Sequence, residues 1–356
     1  MAELSNGPLV PQIDLLINGS PVSAAVLRYV EDVLVDDSVE LPSMFAFAVT
    51  SSDAQEKESP WVDNEELFSV GNVVEIRMGE EDKLTSLITG EITALEPEFV
   101  TSRLPLLYVR GYDRRHRLQR GRKTRSFVQK KDSDIVDQVG REAGLKVEMA
   151  DSGSMLDYVL QANQTDWEFL CERARLTRCE VVVNDKTLSF RPVANDKSEI
   201  LTLDMHNDLL EFYPRLSSAG QATEVKVQSW SVKDKKLLLG DSRAGDEVSK
   251  MGGQSSGAAI AEKAFGAAIE VVIDRPVAAQ GEADQIAKAR FNELVLEFVT
   301  GEGLCRGRTD IRAGKVIKIA GVGKRFGGPY YVASAIHRYT AATGYVTEFS
   351  VRRNAS

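Results

Sequence analysis

The sequence predicts an α+β chain, predominantly β, with two antiparallel β-barrels in tandem and small α+β modules inserted. Three observations carry this. A strand pattern recurs: Gly71-Asn72-Val73-Val74-Glu75-Ile76, an alternating stretch from Gly90 to Leu95 and Leu107-Tyr108-Val109-Arg110 form one copy. Gly314-Lys315-Val316-Ile317-Lys318-Ile319, Tyr331 to Ile336 and Phe349-Ser350-Val351-Arg352 form another of nearly equal length. Apolar and polar residues alternating between turn signals read as strands with one buried face. Helical spacing replaces alternation in 126–193, and a second break falls around 240–302. The expected division is 1–125 as the first barrel, 126–193 as an inserted α+β module, and 194–356 as the second barrel with a helical and loop insertion around 240–302. Two equivalent units in one chain turn a threefold assembly into a near-sixfold ring.

Taken in order, Ile13 to Ile17 reads as a strand turned by Asn18-Gly19. Leu27 to Val35 and Met44 to Val49 alternate similarly, and polar Ser51 to Ser59 reads as a surface loop. Ser133 is positioned to cap a helix carrying Ile135, Val136 and Val139, stopped by Gly144. Thr165-Asp166-Trp167-Glu168 fits a capping box, with Trp167, Leu170, Cys171 and Ala174 on one face of the helix that follows. Glu180 to Asn184 and Thr187 to Arg191 make a hairpin across Asp185-Lys186. Strands follow near Ile200 to Leu203 and Glu224 to Trp230. Gly240 to Gly257 reads as a mobile loop, and Ala287, Phe291, Leu294 and Phe298 mark a helix ended by Gly301.

Of 356 residues, 43% are hydrophobic and 27% charged, ordinary values for a globular protein. No run is long and apolar enough for a membrane helix, and Met1 to Pro8 has no signal-peptide pattern, so synthesis in the cytoplasm is expected. Cys171, Cys179 and Cys305 are too few for a disulfide framework and read as small apolar residues. The net charge of −9 is uneven: 31–98 is strongly acidic, whereas Arg110, Arg114, Arg115, Arg117, Arg120, Arg122, Lys123, Arg125, Lys130 and Lys131 form a basic run.

Gly321-Val322-Gly323 with Gly327 is superficially like a dinucleotide loop, but strand residues follow where a helix is required, so it reads as a hairpin turn. The three histidines, His116, His206 and His337, form no spaced metal pair. His337 reads as a cross-strand residue, and Asp204, Asp208 and Glu211 near His206 as the polar residues of a turn. No nucleophile elbow is present. Neither an enzyme nor a cofactor or metal site is expected. The basic run is the best case for phosphate binding, opposed by the acidic whole and few aromatics for stacking. An interface or channel-lining segment is the main reading.

Val109-Arg110-Gly111-Tyr112-Asp113-Arg114-Arg115-His116-Arg117-Leu118, then Arg120 to Phe127, resemble the hub signature of the phage late control D family. Gln161 to Leu170 resembles its next motif. Gly314-Lys315-Val316, Gly327 to Val332, His337-Arg338-Tyr339 and Gly344 to Phe349 complete an ordered match covering most of the chain. The resemblance implies a non-enzymatic baseplate hub of a phage tail or contractile injection system, related to the N-terminal part of type VI spike proteins. Its barrels are similar to those of the tube protein, and a homotrimer presents six of them, adapting the sixfold inner tube to a threefold spike. Implied partners are other copies of itself, the inner tube protein, a separate spike protein (since no spike follows the second barrel here) and other baseplate proteins. Membrane insertion and a specific nucleic-acid ligand are not expected. Arg110, Arg114, Arg115, Arg117, Arg120, Arg122, Lys123 and Arg125 are the expected interface or channel-lining residues. Gly111, Tyr112, Asp113, Trp167, Gly314, Tyr331, His337, Gly344 and Tyr345 are the expected structural motif residues. The alternative is a β-rich nucleic-acid- or carbohydrate-binding tail module using 110–131. A cell-wall hydrolase is a residual third.

Overall fold

A computed structural model describes residues 11–50, 61–80, 83–149, 152 and 155–356; the readings of Met1 to Pro8 and Ser51 to Ser59 lie outside them. The first unit comprises β1 (Pro11–Ile17), β2 (Ser20–Pro21), a helical turn α1 (Ala24–Leu27), β3 (Val30–Ser38), β4 (Met44–Thr50), β5 (Val73–Glu80), β6 (Lys83–Glu98) and β7 (Leu106–Asp113). A 3₁₀ turn, Arg114–Gln119, leads into the inserted module. This contains β8 (Lys123–Lys131), α2 (Asp132–Glu142), β9 (Lys146–Met149), β10 (Met155–Gln164), α3 (Asp166–Leu176), β11 (Cys179–Asn184) and β12 (Thr187–Pro192). The second unit begins with β13 (Thr202–Asp204) and β14 (Leu209–Leu216). Its insertion is β15 (Glu224–Ser231), β16 (Lys236–Arg243), α4 (Gly257–Phe265), β17 (Ile269–Val272) and α5 (Gln280–Leu296). It ends with β18 (Val299–Arg306), β19 (Val316–Ala320), a helical turn α6 (Gly323–Phe326), β20 (Gly328–Thr340) and β21 (Gly344–Arg353). The fold is α+β and predominantly β, with two tandem antiparallel units.

The two units share one strand order. Hydrogen bonding runs β1-β5-β6-β7-β4-β3 in the first and β13-β19-β20-β21-β18-β14 in the second. Register matches too. β6 bulges between Ile92 and Ala94 against β7, as β20 does between Val332 and Ser334 against β21. β3 bulges between Val30 and Asp32 against β4, as β14 does between Leu209 and Glu211 against β18. The glycines that open the two sequence repeats, Gly71 and Gly314, both adopt positive φ. Gly71 donates to the Ile92 carbonyl at 2.9 Å and Gly314 to the Val332 carbonyl at 2.8 Å. Bulges place an extra residue and increase twist, so shared bulges add twist at matching places in the two units. One pairing is reversed: β1 runs antiparallel to β5, but β13 runs parallel to β19.

β20 joins the units. One of its edges pairs first with β19 and then, from Ser334 to Thr340, with β3. Within this continuous 13-stranded sheet each unit has its own core, Val33, Phe45, Phe47, Ile76 and Val109 in the first and Phe298, Ile317, Tyr330, Val332 and Phe349 in the second. Tyr339 and Tyr345 of the second unit pack on the core of the first. A third core, from Leu118 to Phe190, belongs to the inserted module.

Several local readings shift. α2 starts at Asp132, not after a Ser133 cap, because the Asp134 carboxylate accepts the Lys131 N–H at 3.0 Å and fixes the earlier start. The Thr165 capping box forms with bonds of 2.9 and 3.1 Å. The first expected strand of the Leu27 to Val35 pair begins only at Val30. Gly240 to Gly257 is not a free loop: Gly240 lies in β16, where a Cβ would meet the Ala283 carbonyl at 2.2 Å. Farther along, Ser255 and Gly257 bond to Ser356 and Asn354. α5 ends at Leu296, and Phe298 and Gly301 belong to the approach and body of β18. Gly321 to Gly327 connects antiparallel β19 and β20.

Candidate functional site

The basic run lies where the first unit meets the inserted module, and ion pairs consume most of it. Glu91, buried on β6, receives Arg114 Nε at 3.2 Å and Arg117 Nε at 2.9 Å, and its carboxylate lies 2.9 Å from His116 Nε2. Burial alone would raise this carboxyl, but hydrogen bonds from Arg117 and His116, with the charges of Arg117 and Arg114, hold it below the usual range. Arg114 also reaches Asp185 in the β11–β12 turn. Asp113 caps the 3₁₀ turn by accepting Arg115 N at 2.8 Å, and also takes Arg115 Nε at 2.7 Å and Ser43 N at 2.9 Å. The Arg115 guanidinium lies over Trp167, 5.7 Å from the ring centroid.

This corrects the reading of Arg114 and Arg115 as interface or channel-lining residues: Arg115 is 1% exposed and Arg114 4%. A desolvated guanidinium persists only with partners, and here they are local carboxylates. Among the exposed members, Arg110 pairs with Glu96 at 3.0 Å, and Arg122 with Glu168 at 2.9 Å. Lys123 pairs with Asp166 at 2.6 Å, and Arg125 with Glu142 at 2.5 Å and Asp166 at 2.9 Å. Arg120 is exposed. Arg114 and Arg115 thus bridge unit and module, while Arg110 pairs within the unit and Arg122, Lys123 and Arg125 within the module.

The units are further joined by Arg312 and Asp37, which the sequence did not single out. Arg312, in the loop after β18, donates to Asp37 Oδ2 at 2.7 Å and to the Leu87 carbonyl at 2.7 Å. Burial would raise the Asp37 carboxyl, but Arg312, Arg115 and the Ser43 hydroxyl keep it depressed. Glu180 of β11 accepts Arg191 Nε at 2.7 Å and the Tyr331 hydroxyl, tying the module to β20. Glu91 lies on the face of β6 opposite core residues Ile88 and Ile92, so strand register alone gave no signal of its burial.

The motif residues fall at close approaches. A Cβ on Gly111 would meet the Glu91 carbonyl at 2.2 Å and the Phe45 ring at 2.3 Å; one on Gly314 would meet Arg191 at 2.4 Å. Gly344, with φ of 70°, turns the hairpin that closes β20 onto β21. His337, fully buried on β20, lies 2.8 Å through Nδ1 from the Tyr345 hydroxyl. Burial, with the charge of Arg312, pushes its pKa down to about 4. All three cysteines are free, and burial lifts Cys171 to about 11 and Cys305 to about 12, so neither is a ready nucleophile.

Several sets of apolar residues are exposed, among them Val128, Met155, Tyr158 and Leu160 on the β8–β10 ladder. Another is the outer face of the β15–β17 sheet, with Trp230, Leu237, Leu239, Ile269 and Val271. A third follows the free sheet edges at β6 and β14: Phe99, Val100, Tyr213 and Leu216.

The chain matches the family described as the Alg8 N-terminal domain over residues 9–341. It belongs to the Alg8 N-terminal domain family. The family match thus spans both units and ends in the turn between β20 and β21. No curated protein matches. Among solved structures, this family member is similar to the 43 kDa tail protein of prophage MuSo2 from Shewanella oneidensis, with a TM-score of 0.73 and 14% identity over 96% of this chain and 98% of that one. It is similar to a tail protein from Neisseria meningitidis MC58, at 0.71 and 12% identity over 97% of each chain. The E. coli c3393 protein, a type VI secretion component described as structurally similar to T4 tail proteins gp27 and gp5, gives 0.62 and 13% identity over 96% of this chain and 77% of that one. The fold is shared with phage tail proteins and a type VI secretion component.

Proposed function

We propose that the chain is a structural baseplate hub of a phage tail or contractile injection system, of the late control D type. It forms a homotrimer whose six β-units continue a sixfold inner tube and end it on a threefold spike. The observation that carries this reading is the duplication: one strand order, with matched bulges, twice in a single chain. Homo-oligomers close by symmetry, and duplicated units are what a threefold ring needs to meet a sixfold one. The near full-length likeness of fold to tail proteins supports it.

The role is mechanical rather than catalytic, with the inner tube protein, a separate spike protein and other baseplate proteins as partners. The buried carboxylates support it, since Glu91 and Asp37 form ion pairs between separate segments, Asp113 accepts from Ser43 N and Glu180 accepts from the Tyr331 hydroxyl. The nucleic-acid alternative is weakened because Arg114, Arg117, Arg122, Lys123 and Arg125 already hold carboxylates. Native mass spectrometry of the purified chain and averaged electron micrographs of assembled particles test the hub: trimers at the tube–spike junction are expected, and a monomer within an assembled tail sinks it.

A further inference from the structure

The strand that ends the first unit's order, β3, is not an edge: it pairs with β20 of the second unit. Its equivalent in the second unit, β14, pairs only with β18 among the described residues. Likewise β20 uses its Ser334 to Thr340 segment for β3, while the equivalent segment of β6, beyond Ile92, pairs among the described residues with β7 alone. The chain thus contains one joint and the two unmatched halves of a second. We propose that β14 of one copy pairs with the free segment of β6 in another copy, repeating between chains the β3–β20 joint made within the chain.

The shared bulges fix the register. Ser334 to Thr340 correspond to Ala94 to Val100, and Asp32 to Ser38 correspond to Glu211 to Ser217. Transferring the pairs of the internal joint sets Leu95 against Leu216, Glu96 against Arg215, Pro97 against Pro214, Glu98 against Tyr213 and Phe99 against Phe212. Every core-facing pair is apolar on both sides. The outward pair Glu96–Arg215 is oppositely charged, as cross-strand neighbours prefer; Glu96 is half-exposed on its present partner Arg110 and open to a second cation. Within the chain, Tyr339 packs on the core of the unit it joins. Its counterpart Phe99 is 64% exposed, and Leu216 is 37% exposed. Both are large apolar groups at positions the internal joint covers.

The prolines make this second joint weaker than the first. His337 and Val35 face each other in the internal joint; Pro97 and Pro214 replace them, and neither has an N–H to donate. Such an edge resists indiscriminate strand addition yet still bonds at the flanking pairs. The contact is head-to-tail, so repeated it closes a ring or extends as a filament. The proposal rests on the hub reading for the number of copies in the ring, not for which strands meet.

Glu96→Cys with Arg215→Cys in the full chain tests it. The pair would stand about 4.5 Å apart at Cα, within disulfide reach. Mild oxidation should give reducible covalent oligomers between copies, absent from either single variant. The displaced pair Glu98→Cys with Arg215→Cys should yield at least fivefold less. Equal yield from the displaced pair, or no crosslink in oligomeric protein, overturns the joint. A native trimer without the crosslink overturns the joint and leaves the hub standing; crosslinked rings of another size support the joint and count against the threefold hub. Pro97→Val with Pro214→Val restores both donors and should tighten self-association roughly tenfold; unchanged or weaker association overturns the ladder.

Discussion

In the first β-unit, Phe45 on β4 faces Gly111 on β7, and Phe47 faces Val109. At the corresponding places in the second, Gly301 faces Val351 and Gly303 faces Phe349. Bulk has crossed from one strand to its neighbour while the row stays filled. A Cβ on Gly111 would strike the Phe45 ring at 2.3 Å, and one on Gly303 would strike the Phe349 ring at the same distance. Interiors demand filled volume rather than particular side chains, so two units keep one register with little shared sequence. Buried polar groups diverged similarly: Glu91 on β6 corresponds to Tyr331 on β20, and both reach toward the inserted module or the turn leading to it.

The largest expected effect comes from that polar pair. Glu91→Ala leaves Arg114 buried with Asp185 alone and should cost about 3–5 kcal/mol in chemical denaturation. A loss below about 1 kcal/mol would show that the two units do not depend differently on this position. Next is acid sensitivity, which the first unit lacks at this place because Pro97 stands where the second has His337. The buried imidazole stays neutral down to about pH 4, whereas its ordinary value is 6.5. The unfolded chain therefore takes up the proton first, and stability present above pH 6.5 falls as pH drops toward 4, by about 3 kcal/mol. His337→Leu should flatten that arm of a melting-temperature profile; an unchanged slope would place the sensitivity elsewhere.

Gly303→Ala should destabilise by roughly 1–3 kcal/mol through overpacking. Adding Phe349→Val, the residue type of the first unit, should recover much of it in thermal melts, since the ring is what the new Cβ meets. Additive losses would break the equivalence of the rows. Smallest is Tyr331→Phe, which removes one hydroxyl donor while Arg191 still serves Glu180, for about 1 kcal/mol by the same melts.

Much of the fold was legible. Alternation located β5 to β7 and β19 to β21 because one buried face imposes a period of two, and Thr165 with Glu168 announced α3. The helix ends were less so: Phe298 continued the spacing of α5 yet serves β18. Of the candidate site, the basic run was visible as charge, but its direction was not. Arg114 and Arg115 carry the same formal charge as Arg120, and only the carboxylates brought beside them by folding distinguish buried cations from an exposed one.

The sequence by itself determined that two like sets of strands exist, where their turning glycines lie, and that a helical module separates them. Those properties follow from local period and backbone conformation. Tertiary structure alone decided that the sets extend to six strands each in one order, that β3 crosses to β20, and that Arg312 meets Asp37. These depend on pairing between segments hundreds of residues apart, for which complementary volume and charge can be supplied from either side.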